Sequence, residues 1–531
     1  MGRWDSLTHF PTCSLLAHSP NEATGVKLVN ESSPAILLLF IISIAFLLYI
    51  GWKAYRRLFR PANTEQQAAV EPGSMEEVMV RRRDNPTGLQ LGYFVAANGE
   101  RVPVTILPGE RDTHLYICGT SDMGKSKGIK YMLLQDIASG KCLGLVDVHG
   151  DLADEITPWA VGIRSEDTII FDPTDQENII GFNPLELLPG MQPAEQVGQL
   201  IDAVRAIWAD AWGMRTEDMV ANSFYALMES NLTLLEFPRL LTDKRFRELV
   251  LQGVTNPLVH HYFEGRFDKL PPWNKSSWQD APQNKISALL RDERNRLVLG
   301  QRQSTFNIRQ IMDAGKVFVA KIPKGRIQGA HLVGALLLKL FQLCALSRQD
   351  IPPGQRRPFY LCVEESSSIS TPSFLRETLR ECRKFGLSVI LTDQSTQFMD
   401  DQTRTAVLGN AKVHIYFRVA RNDAEVLAKE AFRVTGRKIK AQDSLQGNPS
   451  FFHTSEEWEE HYNSLTSLPK RQAYHNLRGE GSLRFMTYDD PPCLFEGAQV
   501  DKSQYTKPRA AVLAEIEQRE TIIEEMMEEM E

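Results

Sequence analysis

The sequence predicts an α/β fold with a mostly parallel central sheet, an inserted all-α domain and an N-terminal transmembrane helix. Three observations predict it. Short runs rich in Val, Ile, Leu and Tyr alternate with helix-length segments; residues 187–300 carry helical patterns with few such runs; and one uncharged apolar stretch near the N-terminus is followed by clustered cations. The chain has 531 residues, 42% hydrophobic and 24% charged, which excludes disordered, collagen-like and disulfide-scaffold classes. Its net charge of -7 resides at the C-terminal end, where residues 515–531 hold eight Glu against one Arg. The rest is neutral, so overall acidity does not argue against a nucleic-acid partner. Seven widely spaced cysteines without a CxxC pair argue against zinc and point to a reducing compartment.

Between Glu31 and Lys53 there is no charge, and 35–50 is apolar except for Ser43. As a helix this run spans about 30 Å, the thickness of a bilayer's hydrocarbon core. Lys53, Arg56, Arg57 and Arg60 follow it, with Tyr49 and Trp52 at the interface. The positive-inside rule then puts the C-terminal side in the cytoplasm. The expectation is a single-pass inner-membrane protein with an extracytoplasmic segment 1–33, a transmembrane helix 34–52 and a cytoplasmic linker 53–80. A cleaved signal peptide would have its cations before the apolar run and a small-residue cleavage site after it.

The apolar runs lie at 115–118, 143–148, 168–171, 316–322, 359–363, 387–392 and 413–419. Continuous apolar strands separated by helices imply a parallel sheet covered on both faces. They define a discontinuous domain, 81–186 and 301–434, interrupted by the all-α insertion 187–300. Residues 435–510 read as loops and small elements completing it. The tail 511–531 reads as an acidic helix with Ile516, Ile523, Met527 and Met530 at three-four spacing, interrupted by Glu520. Such a helix is either solvated or partner-binding.

Directly after the first run stand Gly119, Thr120, Ser121, Asp122, Met123, Gly124, Lys125 and Ser126, the pattern G-x-x-x-x-G-K-[ST] opening a helix. Its glycines let backbone N–H groups wrap phosphates, Lys125 faces the β and γ phosphates of ATP, and Ser126 ligates Mg²⁺. Such a loop needs acids at a nearby strand end. Glu364 and Glu365 follow the run 359–363. Glu364 suits the Mg²⁺ shell, although Asp is usual there, and Glu365 suits orientation of the attacking water. Gln394, after the next run, can sense the γ phosphate, and Arg383 or Lys384 before that run can reach a neighbouring subunit's nucleotide. Asp147, His149 and Asp151 cluster at another strand end on the nucleotide-facing edge; a metal site is one reading and hydrogen bonding near the phosphates the other.

Together these residues resemble the type IV secretion coupling proteins, the TraD/TrwB group within the FtsK/HerA branch of P-loop motors. The resemblance also draws on Gly88-Leu89-Gln90-Leu91-Gly92, His114, Asp147 to Leu152, Phe171-Asp172-Pro173, Phe182-Asn183-Pro184-Leu185, Lys321 to Gly325, Glu381 to Leu387, Gly409-Asn410, Phe417-Arg418-Val419 and Asp423-Ala424-Glu425. It implies a RecA-like P-loop NTPase domain and a DNA-translocating ATPase. It further implies Arg383 as a finger acting in trans, Gln394 as sensor, a helical domain that recognises cargo, and assembly as a homohexamer. The implied partners are DNA, a relaxase or other nucleoprotein cargo, type IV secretion channel components and the membrane. The family usually has two N-terminal spans, whereas one is read here. Basic candidates for gripping DNA are Arg302, Arg309, Arg376, Arg380, Arg433, Arg437, Lys438 and Lys440. The alternatives are a double-strand DNA translocase with no secretion role and a slow ATP-dependent scaffold.

Overall fold

Every residue of β3 (Leu115–Cys118), β4 (Cys142–Asp147), β8 (Phe359–Val363), β9 (Leu387–Asp393) and β10 (Val413–Tyr416) is buried, which is why these runs read as continuously apolar. The computed structural model describes residues 74–530, except 84, 86, 210–211, 328, 437, 443–448 and 479–480. The segment 1–33, the transmembrane helix 34–52 and the linker up to residue 73 lie outside the described residues. The linker read as reaching residue 80 gives way to a helix, Ser74–Arg82, which buries Met75 and Met79.

The remaining strands, in chain order, are β1 (Leu89–Val95), β2 (Arg101–Ile106), β5 (Thr168–Phe171), β6 (Asn178–Ile179), β7 (Val317–Lys321), β11 (Ile439–Gln442), β12 (Pro449–Phe451), β13 (Gln472–Leu477), β14 (Gly481–Thr487) and β15 (Lys507–Pro508). Eleven of the fifteen strands among the described residues form one sheet in the order β2-β1-β14-β13-β10-β3-β9-β8-β4-β7-β5. From β10 to β5 all neighbours are parallel, as predicted. From β13 to β2 they are antiparallel, so residues 472–487 are two full strands rather than loops. Their apolar signal is weak because β13 buries Gln472, His475 and Asn476 and β14 alternates inward and outward residues.

The helix Lys125–Ala138 follows β3 and the helix Asp151–Arg164 follows β4. The helix Ala330–Leu346 stacks Phe341 on Phe359 of β8 and meets Phe318 of β7 edge-on. Among the described residues it begins the one stretch, 330–350, long and apolar enough to cross a membrane, but its side chains fill the core. Between β6 and β7 the described residues hold helices and no strand, among them Pro193–Ile207, Met214–Glu229, Lys244–Gln252, Pro272–Leu290 and Glu293–Leu299. Phe171, Phe182, Phe306 and Phe318 stack where this helical segment meets the sheet, and one apolar core runs through both.

The C-terminal helix Arg509–Glu528 packs back on the helical segment through Val512, Arg519, Ile523 and Met527. Arg519, not Glu520, occupies the buried stripe: it pairs with Glu236 at 2.9 Å and donates to the Gly300 carbonyl at 2.7 Å. Arg239 pairs with Glu524, and Arg509 with Glu293.

Candidate functional site

The turn 119–124 links β3 to the helix Lys125–Ala138, and its conformation depends on glycine at two places. A Cβ on Gly119 would lie 2.6 Å from Cβ of Phe417, and Gly124 has φ 97° with its missing Cβ against Arg471. Asp122 is also left-handed, at φ 64°. The helix has no side-chain cap and no acid of its own in its first turn, so its leading N–H groups and positive dipole end are left facing the turn. The Lys125 ammonium, buried, folds back to donate to the Gly119 carbonyl at 3.4 Å. Thr120 N–H donates to the Arg418 carbonyl at 2.8 Å, and Arg471 N–H donates to the Met123 carbonyl at 2.8 Å. This is a pre-shaped anion cradle with one internal cation.

Two acids meet that cradle because β9 alone separates β3 from β8. Ser126 Oγ donates to Glu364 Oε1 at 3.3 Å. Burial, reinforced by the neighbouring Asp147, pushes the Glu364 carboxyl up to about 8, against the opposing pull of Lys125 and Ser126. Asp147 also shapes the loop after β4, because its carboxylate accepts the N–H groups of His149 at 2.9 Å and Ala153 at 2.8 Å.

Glu365 adopts a left-handed backbone, φ 47° and ψ 55°, costing on the order of 1 kcal/mol for a residue with a Cβ. Its N–H donates to Thr392 Oγ1 at 3.3 Å. Its carboxylate accepts from Gln394 Nε2 at 2.5 Å, contacts His149 Nε2 at 2.9 Å and accepts from Lys324 Nζ at 3.3 Å. Burial raises the carboxyl, but His149 and Lys324 outweigh it and hold Glu365 below the usual glutamate range. Gln394 Oε1 in turn accepts from Ser121 Oγ at 3.3 Å, so one chain of contacts joins the phosphate turn to Glu365. Beside it Asp393, raised to about 6 by burial, accepts from Ser366 Oγ and Ser367 N–H.

The fold thus brings together Gly119 to Ser126, Glu364, Glu365 and Gln394. Arg383 is elsewhere: it sits exposed in the turn Cys382–Phe385 before β9, at the opposite end of a seven-residue strand, roughly 20 Å along the sheet from Gln394. It cannot reach its own chain's phosphate turn. Asp151 is exposed at the start of its helix, and no cluster of three or more His, Cys, Asp or Glu side chains suited to a metal occurs among the described residues. Among the basic candidates, Arg309 pairs with Asp313 and Asp350, Arg376 with Asp400, and Lys438 with Glu460. Arg302 is half-buried, and Arg380 and Arg433 are exposed. Arg437 and the Lys440 side chain lie outside the described residues.

Lys324 joins the site without a site role of its own in the sequence. The string Lys321 to Gly325 after an apolar run is a strand end, but only strand order shows that β7 opens onto Glu365.

No family model matches the chain, and no curated protein does. Among solved structures the chain is similar to the bacterial conjugative coupling protein TrwB in an unbound form, with 15% identity, TM-score 0.56, and 83% of this chain and 100% of that one covered. It is likewise similar to the plasmid coupling protein TrwB in complex with ADP and Mg²⁺, with 15% identity, TM-score 0.54, and 83% and 98% covered. The TrwB complex with a non-hydrolysable GTP analogue aligns at 15% identity and TM-score 0.55, over 83% and 99%. At these identities the likeness is one of fold: a mixed α/β architecture with a large, mostly parallel sheet.

Proposed function

We propose that this chain is a membrane-anchored, ATP-hydrolysing DNA translocase of the conjugative coupling type, delivering a nucleoprotein substrate to a type IV secretion channel. The observation that carries the reading is the meeting of cradle and acids: Ser126 within 3.3 Å of Glu364, and Ser121 joined to Glu365 through Gln394. The TrwB structures described with ADP and Mg²⁺ and with nucleotide analogues support nucleotide and Mg²⁺ as ligands here.

The residues fit both ligands. The uncapped helix start and Lys125 suit a triphosphate, and the hydroxyl of Ser126 with the Glu364 carboxylate are the hard oxygen donors Mg²⁺ takes. Ser126 and Glu364 would hold the Mg²⁺, which supplies charge neutralisation at the phosphate oxygens. Lys125 leaves the Gly119 carbonyl to neutralise the β and γ phosphates. Glu365, kept ionised, accepts a hydrogen bond from the water that attacks the γ phosphorus as the bond to the ADP oxygen breaks. Gln394, touching both Ser121 and Glu365, reports the γ phosphate to the acid. Arg383 supplies its cation to the neighbouring subunit's nucleotide, which requires a ring, taken here as a homohexamer.

Within this reading the helical segment 187–300 is the cargo-recognition domain for a relaxase or other nucleoprotein, and residues 34–52 anchor the ring in the inner membrane. The test is ATP hydrolysis by the full chain with and without DNA, comparing wild type with K125A and E365Q. DNA-stimulated hydrolysis lost in both variants is expected; hydrolysis indifferent to DNA would remove the translocase part.

A further inference from the structure

We infer that Lys324 and His149 form a latch that holds Glu365 away from the phosphate turn until nucleotide and neighbouring groups release it, so that the nucleotide site is restrained at rest. The inference rests on the ATPase reading above and adds two positioning residues to it.

Strand order carries the argument. The phosphate turn follows β3, Gln394 follows β9, Glu365 follows β8, His149 follows β4 and Lys324 follows β7, and the sheet runs β3-β9-β8-β4-β7. Glu365 therefore stands between opposite pulls. On the side of the phosphate turn is Gln394, itself held by Ser121. On the far side are His149 Nε2, 2.9 Å from Oε1, and Lys324 Nζ, 3.3 Å from Oε2. Both carboxylate oxygens are engaged, and a carboxylate committed to three donors has about one of its four acceptor sites left, on the oxygen that Lys324 holds. Two of those donors draw it away from the position where a γ phosphate would lie.

The far side is itself anchored. Lys324 Nζ donates to Ser368 Oγ at 2.5 Å, Lys324 N–H donates to the Val148 carbonyl at 3.1 Å, and Ile322 N–H to the Asp147 carbonyl at 2.8 Å. The loops after β4 and β7 are thus tied to each other by backbone hydrogen bonds. A cleft of about 430 Å³ between Glu365, Ser368, Gln394 and Phe398 gives the Glu365 carboxylate room to swing. Filling the phosphate turn engages Ser121, alters the Gln394 contact and re-aims Glu365, provided the far-side donors let go. Displacing the β4–β7 loops, for instance by a neighbouring subunit, would open the latch from the other direction.

The test is steady-state hydrolysis by the full chain without DNA, in wild type, K324M, K324R and H149Q, with affinity for a fluorescent ADP analogue measured alongside. Removing a charge-assisted hydrogen bond should raise DNA-independent kcat about three- to tenfold in K324M, with KM and ADP affinity within about twofold, the spread expected of a change that leaves the cradle intact. H149Q should move kcat the same way, and K324R, which keeps the charge, should restore most of the restraint. An unchanged or lowered kcat in both K324M and H149Q overturns the latch while leaving the ATPase reading in place. A wild-type chain without Lys125-dependent hydrolysis overturns that reading and the latch together.

Discussion

Raising the pH should tighten Mg²⁺ binding, and the reason is Glu364. Its carboxyl lies 3.3 Å from Ser126 Oγ and is pushed up to about 8 by burial and by Asp147. A carboxylate must lose its proton to ligate a metal, so metal and proton compete for the same oxygens. With a value near 8, about one Glu364 in ten is ionised at pH 7 and about nine in ten at pH 9. Mg²⁺ binding at pH 7 should therefore expel about 0.9 proton, and apparent affinity should rise roughly tenfold between pH 7 and 9. The sign follows from the direction of the shift: the metal needs the ionised form, which the folded chain disfavours below about 8. Calorimetric titration of Mg²⁺ into the ADP-saturated chain, in buffers of different ionisation enthalpy, reads both quantities. D147N is the internal control. Removing the Asp147 charge should lower the Glu364 carboxyl and flatten the pH dependence, at a stability cost of about 1 kcal/mol for one lost amide acceptor. Equal affinity at pH 7 and 9 with no proton release would refute the reasoning.

If Arg383 acts in trans, mixing K125A with R383A chains should restore hydrolysis that neither shows alone, measured as phosphate release; no recovery in mixed rings would remove the finger. G119A places a Cβ 2.6 Å from Phe417 and should lower nucleotide affinity while costing about 1–3 kcal/mol, read by thermal unfolding with and without ADP. R519A breaks an ion pair whose side chains are 3% and 8% exposed, a loss of about 3 kcal/mol. It should make the C-terminal helix an early site of proteolysis, whereas a merely solvated helix would be cleaved equally in wild type.

What could be read from the sequence follows from what each element buries. Strands β3, β4, β8, β9 and β10 are apolar throughout because both faces are covered, and a run such as Phe359-Tyr360-Leu361-Cys362-Val363 announces that alone. The phosphate turn is equally legible, because its requirements are local backbone ones at Gly119 and Gly124. The antiparallel half of the sheet is not. His475 and Asn476 are buried polar residues, Asn476 donating to the Glu430 carbonyl, so the strand resembles a loop until its partners are known. The docking of the C-terminal helix is hidden by Arg519, whose burial makes sense only beside Glu236 and Gly300. Lys324 is hidden for a third reason: 41 positions separate it from Glu365, and their contact depends on which strands are neighbours.

The central claim, that the turn closing at Gly124 and the acid at Glu365 act on one triphosphate, is tested most directly by pairing a binding and a hydrolysis measurement on E365Q. The account predicts ATP affinity within a few-fold of wild type and phosphate release reduced by about two orders of magnitude or more. Phosphate release by E365Q at the wild-type rate would contradict it.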